Sequence, residues 1–175
     1  ILCSKITNMT LEDFNFLLPD VAKAELLKCC GSEAWANEMM MGFPFSSKKS
    51  LLKHADSAWK KCIKADWLEA FTHHPKIGDI ESLAKKFATT KDWAGNEQSG
   101  VNTADMTTLH ALSKGNDLYE QKFGYIFIVC ATGKSAKEML ELLEERLPNK
   151  AKKEILIAKG EQHKITKIRL NKLID

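Results

Sequence analysis

Apolar positions recur along most of this chain at steps of three and four residues, the period of a helix with one buried face. Between Ser47 and Cys62 the buried set is Leu51, Leu52, Ala55, Ala58, Trp59 and Cys62, while lysines occupy the opposite face. Ahead of it, Thr10 supplies a hydroxyl cap with Asp13 three positions on, which predicts a short opening helix through Phe14 and Leu18 that Pro19 stops. Val21 to Cys30 reads as a second helix ended by Gly31. Ser32 begins a third through Trp35 and Met39, closed by Gly42, and Phe43-Pro44-Phe45 makes a turn. Asp66 opens a segment through Trp67 and Phe71. Pro75 limits it, because proline disfavours helical geometry at the preceding residue and lacks an amide donor, so His74 falls at a helix exit.

Beyond that exit, Ile77-Gly78-Asp79 reads as a turn and Glu81 to Ala88 as a helix. Thr89 to Asn102 is polar, interrupted by Gly95 and Gly100, and is the candidate functional loop. Met106, Leu109, Leu112, Leu118, Tyr119 and Phe123 predict either one long helix or two meeting at Gly115, with Gly124 as the stop. The apolar run Tyr125 to Ala131 has strand-like composition without a second strand to pair with, so it reads as a buried extended or short helical passage. Ser135 and Glu138 repeat the capping pattern before a helix that Pro148 closes. A long amphipathic final helix follows, with Ile155, Ala158, Ile165, Ile168 and Leu173 among alternating Lys and Glu. No repeat or linker divides the chain. The pattern therefore predicts an all-α fold, a single compact multi-helix domain over residues 1–175.

Composition narrows the function. Of 175 residues, 44% are hydrophobic and 28% charged, enough for a sizeable core and against disorder. A net charge of +3, from 26 basic and 23 acidic residues mixed along the chain, does not predict a nucleic-acid partner. No apolar run approaches the ~20 residues that span a bilayer, so no membrane partner is expected. Cys3, Cys29, Cys30, Cys62 and Cys130 are odd in number and two are adjacent, which fits neither a disulfide framework nor a zinc motif and points to reduced thiols in a cytosol-like compartment. The opening Ile1-Leu2-Cys3-Ser4-Lys5 has no initiator Met and no targeting pattern, and reads as starting inside or just before a longer native start.

Three features could hold chemistry. His73-His74-Pro75 sets two imidazoles beside a rigid proline and a glycine turn, and imidazole titrates near neutrality, as general acid–base work requires. The competing reading is a histidine capping helix carbonyls. Glu97-Gln98 in the polar loop offers a carboxylate and a carboxamide that could hold a substrate, or a solvated loop carboxylate. Arg169 is one of two arginines, with Arg146, in a lysine-rich chain. Its planar fork suits a carboxylate or ureido group, against the alternative of a surface ion pair. No histidine spacing suggests a metal site.

Read in order, Phe71-Thr72-His73-His74-Pro75-Lys76-Ile77-Gly78-Asp79, Glu97-Gln98-Ser99-Gly100, the run Asn116 to Gly133 and Ile165-Thr166-Lys167-Ile168-Arg169-Leu170 resemble one family. It is the 2-oxo-4-hydroxy-4-carboxy-5-ureidoimidazoline decarboxylases of urate breakdown, and the likeness extends from the Met9 region to Leu173. The resemblance implies an all-helical, cofactor-free homodimeric enzyme that releases carbon dioxide and yields (S)-allantoin. It places the catalytic histidine at His74, directly before Pro75, rather than at His73. The essential acid falls at Glu97, the following glutamine at Gln98 and the substrate-binding arginine at Arg169. Backbone groups over Phe127, Ile128, Cys130 and Thr132 complete the substrate contacts it implies. Two departures stand out. Ala94 occupies a position where the family often has serine, removing a hydroxyl contact whose loss typically costs about 0.5–1.5 kcal/mol, and Lys76 replaces a frequent arginine.

Two other functions remain open at this point: a non-enzymatic helical interaction module, and a related lyase for another small ureido or imino acid. The end Lys172-Leu173-Ile174-Asp175 differs from the Ser-Lys-Leu address, so a cytoplasmic location is expected, with the peroxisome as the alternative if the source is eukaryotic.

Overall fold

Local capping chemistry sets where the helices begin. In the computed structural model, which describes residues 8–74 and 103–175, Thr10 and Asp13 form a reciprocal capping box at the start of α1 (Leu11–Phe16). Pro19 does not simply stop that helix; it occupies the first turn of α2 (Pro19–Cys29), where its missing N–H costs nothing. Ser32 caps α3 (Glu33–Met40) and Ser47 caps α4 (Lys48–Lys61). Helix α5 (Lys64–Thr72) begins two residues earlier than Asp66, whose carboxylate instead accepts from the Ile63 N–H at 2.8 Å as the third residue of the first turn.

Later in the chain come α6 (Thr103–Phe123), α7 (Ala136–Arg146), again opened by a Ser135–Glu138 capping box, and α8 (Ala151–Leu173). Among the described residues there are eight helices and no strand, apart from an isolated parallel bridge between Met9 and Ile174. The fold is all-α and ends in the long helix expected. The predicted helix over 81–88 and the polar loop over 89–102 lie outside the described residues.

The chain packs as two compact units. In the first, built from residues 8–74 with Lys159–Asp175, α3 packs against α2, α4 and α5 around a core that includes Phe14, Leu26, Trp35, Met39, Leu51 and Leu170. The indoles in this unit are tied to backbone: Trp35 Nε1 donates to the Ala55 carbonyl at 3.4 Å and Trp59 Nε1 to that of Lys159 at 3.2 Å. In the second unit, which includes 103–158, α6 packs against α7 over Leu109, Leu112, Tyr119, Phe127, Met139 and Leu143.

Two glycines mark close approaches between segments. Of the two readings at Gly115 the single long helix holds: α6 runs unbroken, and a Cβ there would lie 2.4 Å from Leu143 Cδ2 on α7. Gly31 is not a left-handed helix stop. The chain leaves α2 through an extended Cys30, and a Cβ on Gly31 would lie 2.2 Å from the His73 ring carbon Cγ. The passage Tyr125 to Ala131 is irregular rather than helical, with Phe127, Ile128 and Val129 buried.

Candidate functional site

Helix α5 ends as Pro75 requires. His73 is its C-terminal cap, and the His74 N–H bonds back to the Phe71 carbonyl at 3.2 Å. The last turn is held against the α2–α3 connection by the close approach of the His73 ring to Gly31. That packing aims the next side chain: His74 Nε2 lies 2.6 Å from Oε1 of Gln162 on α8. His74 is thus a partly buried imidazole hydrogen-bonded to α8.

Gln162 is fully buried and is itself held. Its Nε2 donates to Thr166 Oγ1 at 3.3 Å, and the Thr166 hydroxyl donates to the Gln162 carbonyl at 3.0 Å. With its amide nitrogen on Thr166 Oγ1 and its oxygen facing His74, Gln162 is set to accept from an imidazole protonated at Nε2. In that form the lone pair of the neutral ring lies on Nδ1. The polar chain continues to Cys30, whose thiol meets the Thr166 hydroxyl. Burial pushes the Cys30 and Cys29 thiols up to about 12, so both are neutral at physiological pH and poor nucleophiles.

Neither Gln162 nor Thr166 was singled out by the apolar pattern. The signal was in the register: the buried row of α8 in the first unit runs Gln162, Thr166 and Leu170 at steps of four, while Ile165 and Ile168, which the pattern placed on the apolar face, are only partly buried. Two polar residues in a buried row call for polar partners.

Arg169 sits on this same side of α8, at the seventh position after Gln162 and so about 10 Å further along the axis. Its Nη1 approaches the carbonyls of Lys28 and Cys29, each at 3.4 Å, at the end of α2, where helix carbonyls lack partners. Among the described residues no carboxylate pairs with it. The guanidinium keeps Nε and Nη2 as further donors.

The second unit holds the other described candidates. Phe127 and Ile128 are buried, Cys130 is partly buried and Thr132 is exposed. This irregular passage is anchored by the other arginine. Arg146 Nη1 donates to the Ile128 carbonyl at 2.9 Å, its Nε donates to Glu154 Oε1 at 2.7 Å, and its guanidinium lies 4.6 Å from the Phe127 ring centroid. Tyr119 donates to the same Glu154 oxygen at 2.5 Å, and Asn149 Nδ2 donates to Oε2 at 2.7 Å. Burial and that carboxylate both push the Tyr119 phenol far above its ordinary range, so it stays a donor. Pro75, Ala94, Glu97 and Gln98 lie outside the described residues. Among the described residues no cluster of three metal-binding side chains occurs, the four cysteines present are free, and no helix is long and apolar enough to cross a membrane.

An all-helical chain with a buried amide seating an imidazole at a helix exit, and an arginine along the same helix, has the parts of a small-molecule acid–base site. The family model for OHCU decarboxylase matches residues 15–171, and the chain belongs to that family. It is 35% identical over 154 residues to the uric acid degradation bifunctional protein TTL of Arabidopsis thaliana, covering 88% of this chain and 48% of that protein. It is 32% identical over 102 residues to the 2-oxo-4-hydroxy-4-carboxy-5-ureidoimidazoline decarboxylase of Amia calva, covering 58% and 57%. The chain thus spans about half the length of these two relatives. A crystal structure of OHCU decarboxylase in the presence of (S)-allantoin superimposes with a TM-score of 0.69 at 35% identity, over 85% of this chain and 96% of that one.

Proposed function

We propose that this chain is a cofactor-independent carboxy-lyase that converts 2-oxo-4-hydroxy-4-carboxy-5-ureidoimidazoline to (S)-allantoin in urate degradation. The observation that carries this reading is the seating of His74 by Gln162 at 2.6 Å, in a chain whose family match runs over residues 15–171. The names of the relatives and the allantoin in the superimposable crystal structure support the same substrate class.

The chemistry follows from the substrate. Its carboxylate sits on the carbon that bears the hydroxyl, next to a ring C=N. When the carbon–carboxylate bond breaks, the electron pair forms a carbon–carbon double bond and the imine electrons move onto nitrogen, which takes a proton. Loss of the hydroxyl proton and protonation of the adjacent carbon then give the ring carbonyl and the C–H of allantoin. We assign to Nδ1 of His74 the removal of the hydroxyl proton and the later delivery of a proton to one face, which fixes the product's hand. Glu97 orients the hydroxyl or the imidazole, Gln98 the ureido amide, and Arg169 a carboxylate or carbonyl oxygen. Pro75, Ala94 and the backbone of Phe127, Ile128, Cys130 and Thr132 line the substrate in this reading. Residues 1–175 act as one catalytic domain, as a cytoplasmic homodimer.

The test is to add the purified chain to freshly generated substrate and follow the product by circular dichroism. Accelerated decay with a persistent single-sign signal supports the reading. Decay at the spontaneous rate to racemic product overturns it.

A further inference from the structure

We infer that Gln162 is a positioning residue that, with Thr166 behind it, holds His74 in the tautomer protonated at Nε2 and so sets Nδ1 as the atom that exchanges protons. This deepens the proposed function and rests on it for its catalytic meaning, but the tautomer itself is a property of the protein alone. The Gln162 side chain is fully buried, with its two polar ends separately committed: Oε1 to His74 at 2.6 Å and Nε2 to Thr166 Oγ1 at 3.3 Å. Turning the amide over would set Nε2 against the imidazole and leave Oε1 facing a hydroxyl whose proton is already given to the Gln162 carbonyl at 3.0 Å. The opposite imidazole tautomer would set a nitrogen lone pair against the amide oxygen. Either change taken alone mismatches the pair, and the two together cost the Thr166 hydroxyl its bond to the Gln162 carbonyl, so the helix-borne pair Gln162–Thr166 favours one tautomer. Four residues apart on α8, the two side chains share one face, which makes the helix itself the jig for the imidazole.

The experiment reads the tautomer and the rate separately. Long-range proton–nitrogen correlation spectra of histidine-labelled protein, with His74 assigned by the His74→Asn variant, should show a single Nε2–H form at alkaline pH in the wild type. Gln162→Leu, close in volume, should give mixed tautomers and lower kcat by about tenfold, the change expected for one lost hydrogen bond, with KM within about twofold. Gln162→Glu should keep the Nε2–H tautomer, because a carboxylate accepts the same bond. Its negative charge should move the acid limb of the kcat/KM profile to higher pH by about one unit. Thr166→Val, the milder variant should Gln162→Leu fail to fold, should also mix the tautomers. A wild type in the Nδ1–H form, or an undivided Nε2–H signal in both Gln162→Leu and Thr166→Val, overturns the inference. If instead His74→Asn retains full turnover, the catalytic reading fails while the spectra still decide the role of Gln162.

Discussion

The ring of His73 lies so close to Gly31 that a Cβ on the glycine would stand 2.2 Å from Cγ of the imidazole, so the α2–α3 connection and the exit of α5 fit together only without a side chain there. Because His74 is the next residue, the contact also governs where the candidate catalytic imidazole points. Gly31→Ala is expected to destabilise the chain by about 1–3 kcal/mol, the range for overpacking a well-filled site, and to lower activity beyond that loss by shifting His74. Urea unfolding and the circular dichroism assay at a temperature where the variant stays folded check both parts.

Arg146 and Glu154 form a buried ion pair, with Nη2 and Oε1 2.6 Å apart and side-chain exposures of 7% and 0%. Arg146→Met strands Glu154 and releases the Ile128 carbonyl, so a loss of about 3–5 kcal/mol is expected in denaturant unfolding. Arg146→Met with Glu154→Leu should recover much of that loss in stability without restoring the anchored passage, and hence without restoring activity.

His163 Nε2 is 2.7 Å from Asp56 Oδ1 and the ring stacks on Trp59, while Lys167 and Lys159 lie nearby. Burial holds the imidazole below its ordinary 6.5, outweighing the Asp56 carboxylate that pulls it up. Between that lowered value and 6.5 the unfolded chain binds a proton that the folded chain refuses, so stability falls as pH drops below about 6.5. Asp56 acts in the same sense at lower pH: its bonds to His163 and Lys167 outweigh burial and hold the carboxyl below 3.8, a contribution lost as pH falls through that range. His163→Gln should flatten the urea midpoint between about pH 7 and 5 relative to wild type. A wild-type midpoint that rises on acidification there would contradict the assignment.

Arg169→Lys keeps the charge but loses the planar fork. With Nη1 facing two α2 carbonyls at 3.4 Å, the expected result is a raised KM, by about tenfold, with a smaller change in unfolding midpoint. Steady-state kinetics on freshly made substrate separate the two effects.

Most helix starts were legible because capping is local: Thr10 with Asp13 and Ser135 with Glu138 carry their own partners three residues away. The exit at His74 was legible for the same reason, since Pro75 follows it directly. What could not be read were contacts between distant segments. Gly115 leaves one helix or two open until Leu143 is set against it, and Gly31 shows in the sequence only as the end of a helix, without the His73 ring that packs on it. Gln162 and Thr166 sit among lysines and isoleucines in the sequence, and their partner His74 lies 88 positions before Gln162. Arg146 stood out as a rare arginine, but its burial against Glu154 and the Ile128 carbonyl comes from packing. His74 and Arg169 stood out by residue type and position, the resemblance implied their roles, and the structure places both in the first unit, Arg169 on α8 and His74 against it.

The most direct test of the catalytic assignment compares wild type with His74→Asn, both shown folded by far-ultraviolet circular dichroism, on freshly generated ureidoimidazoline. The expected result is a drop in kcat of about 100-fold or more, the usual worth of a general acid–base group, with loss of the enantiomeric excess. Wild-type turnover and an intact (S) signal in His74→Asn would contradict it.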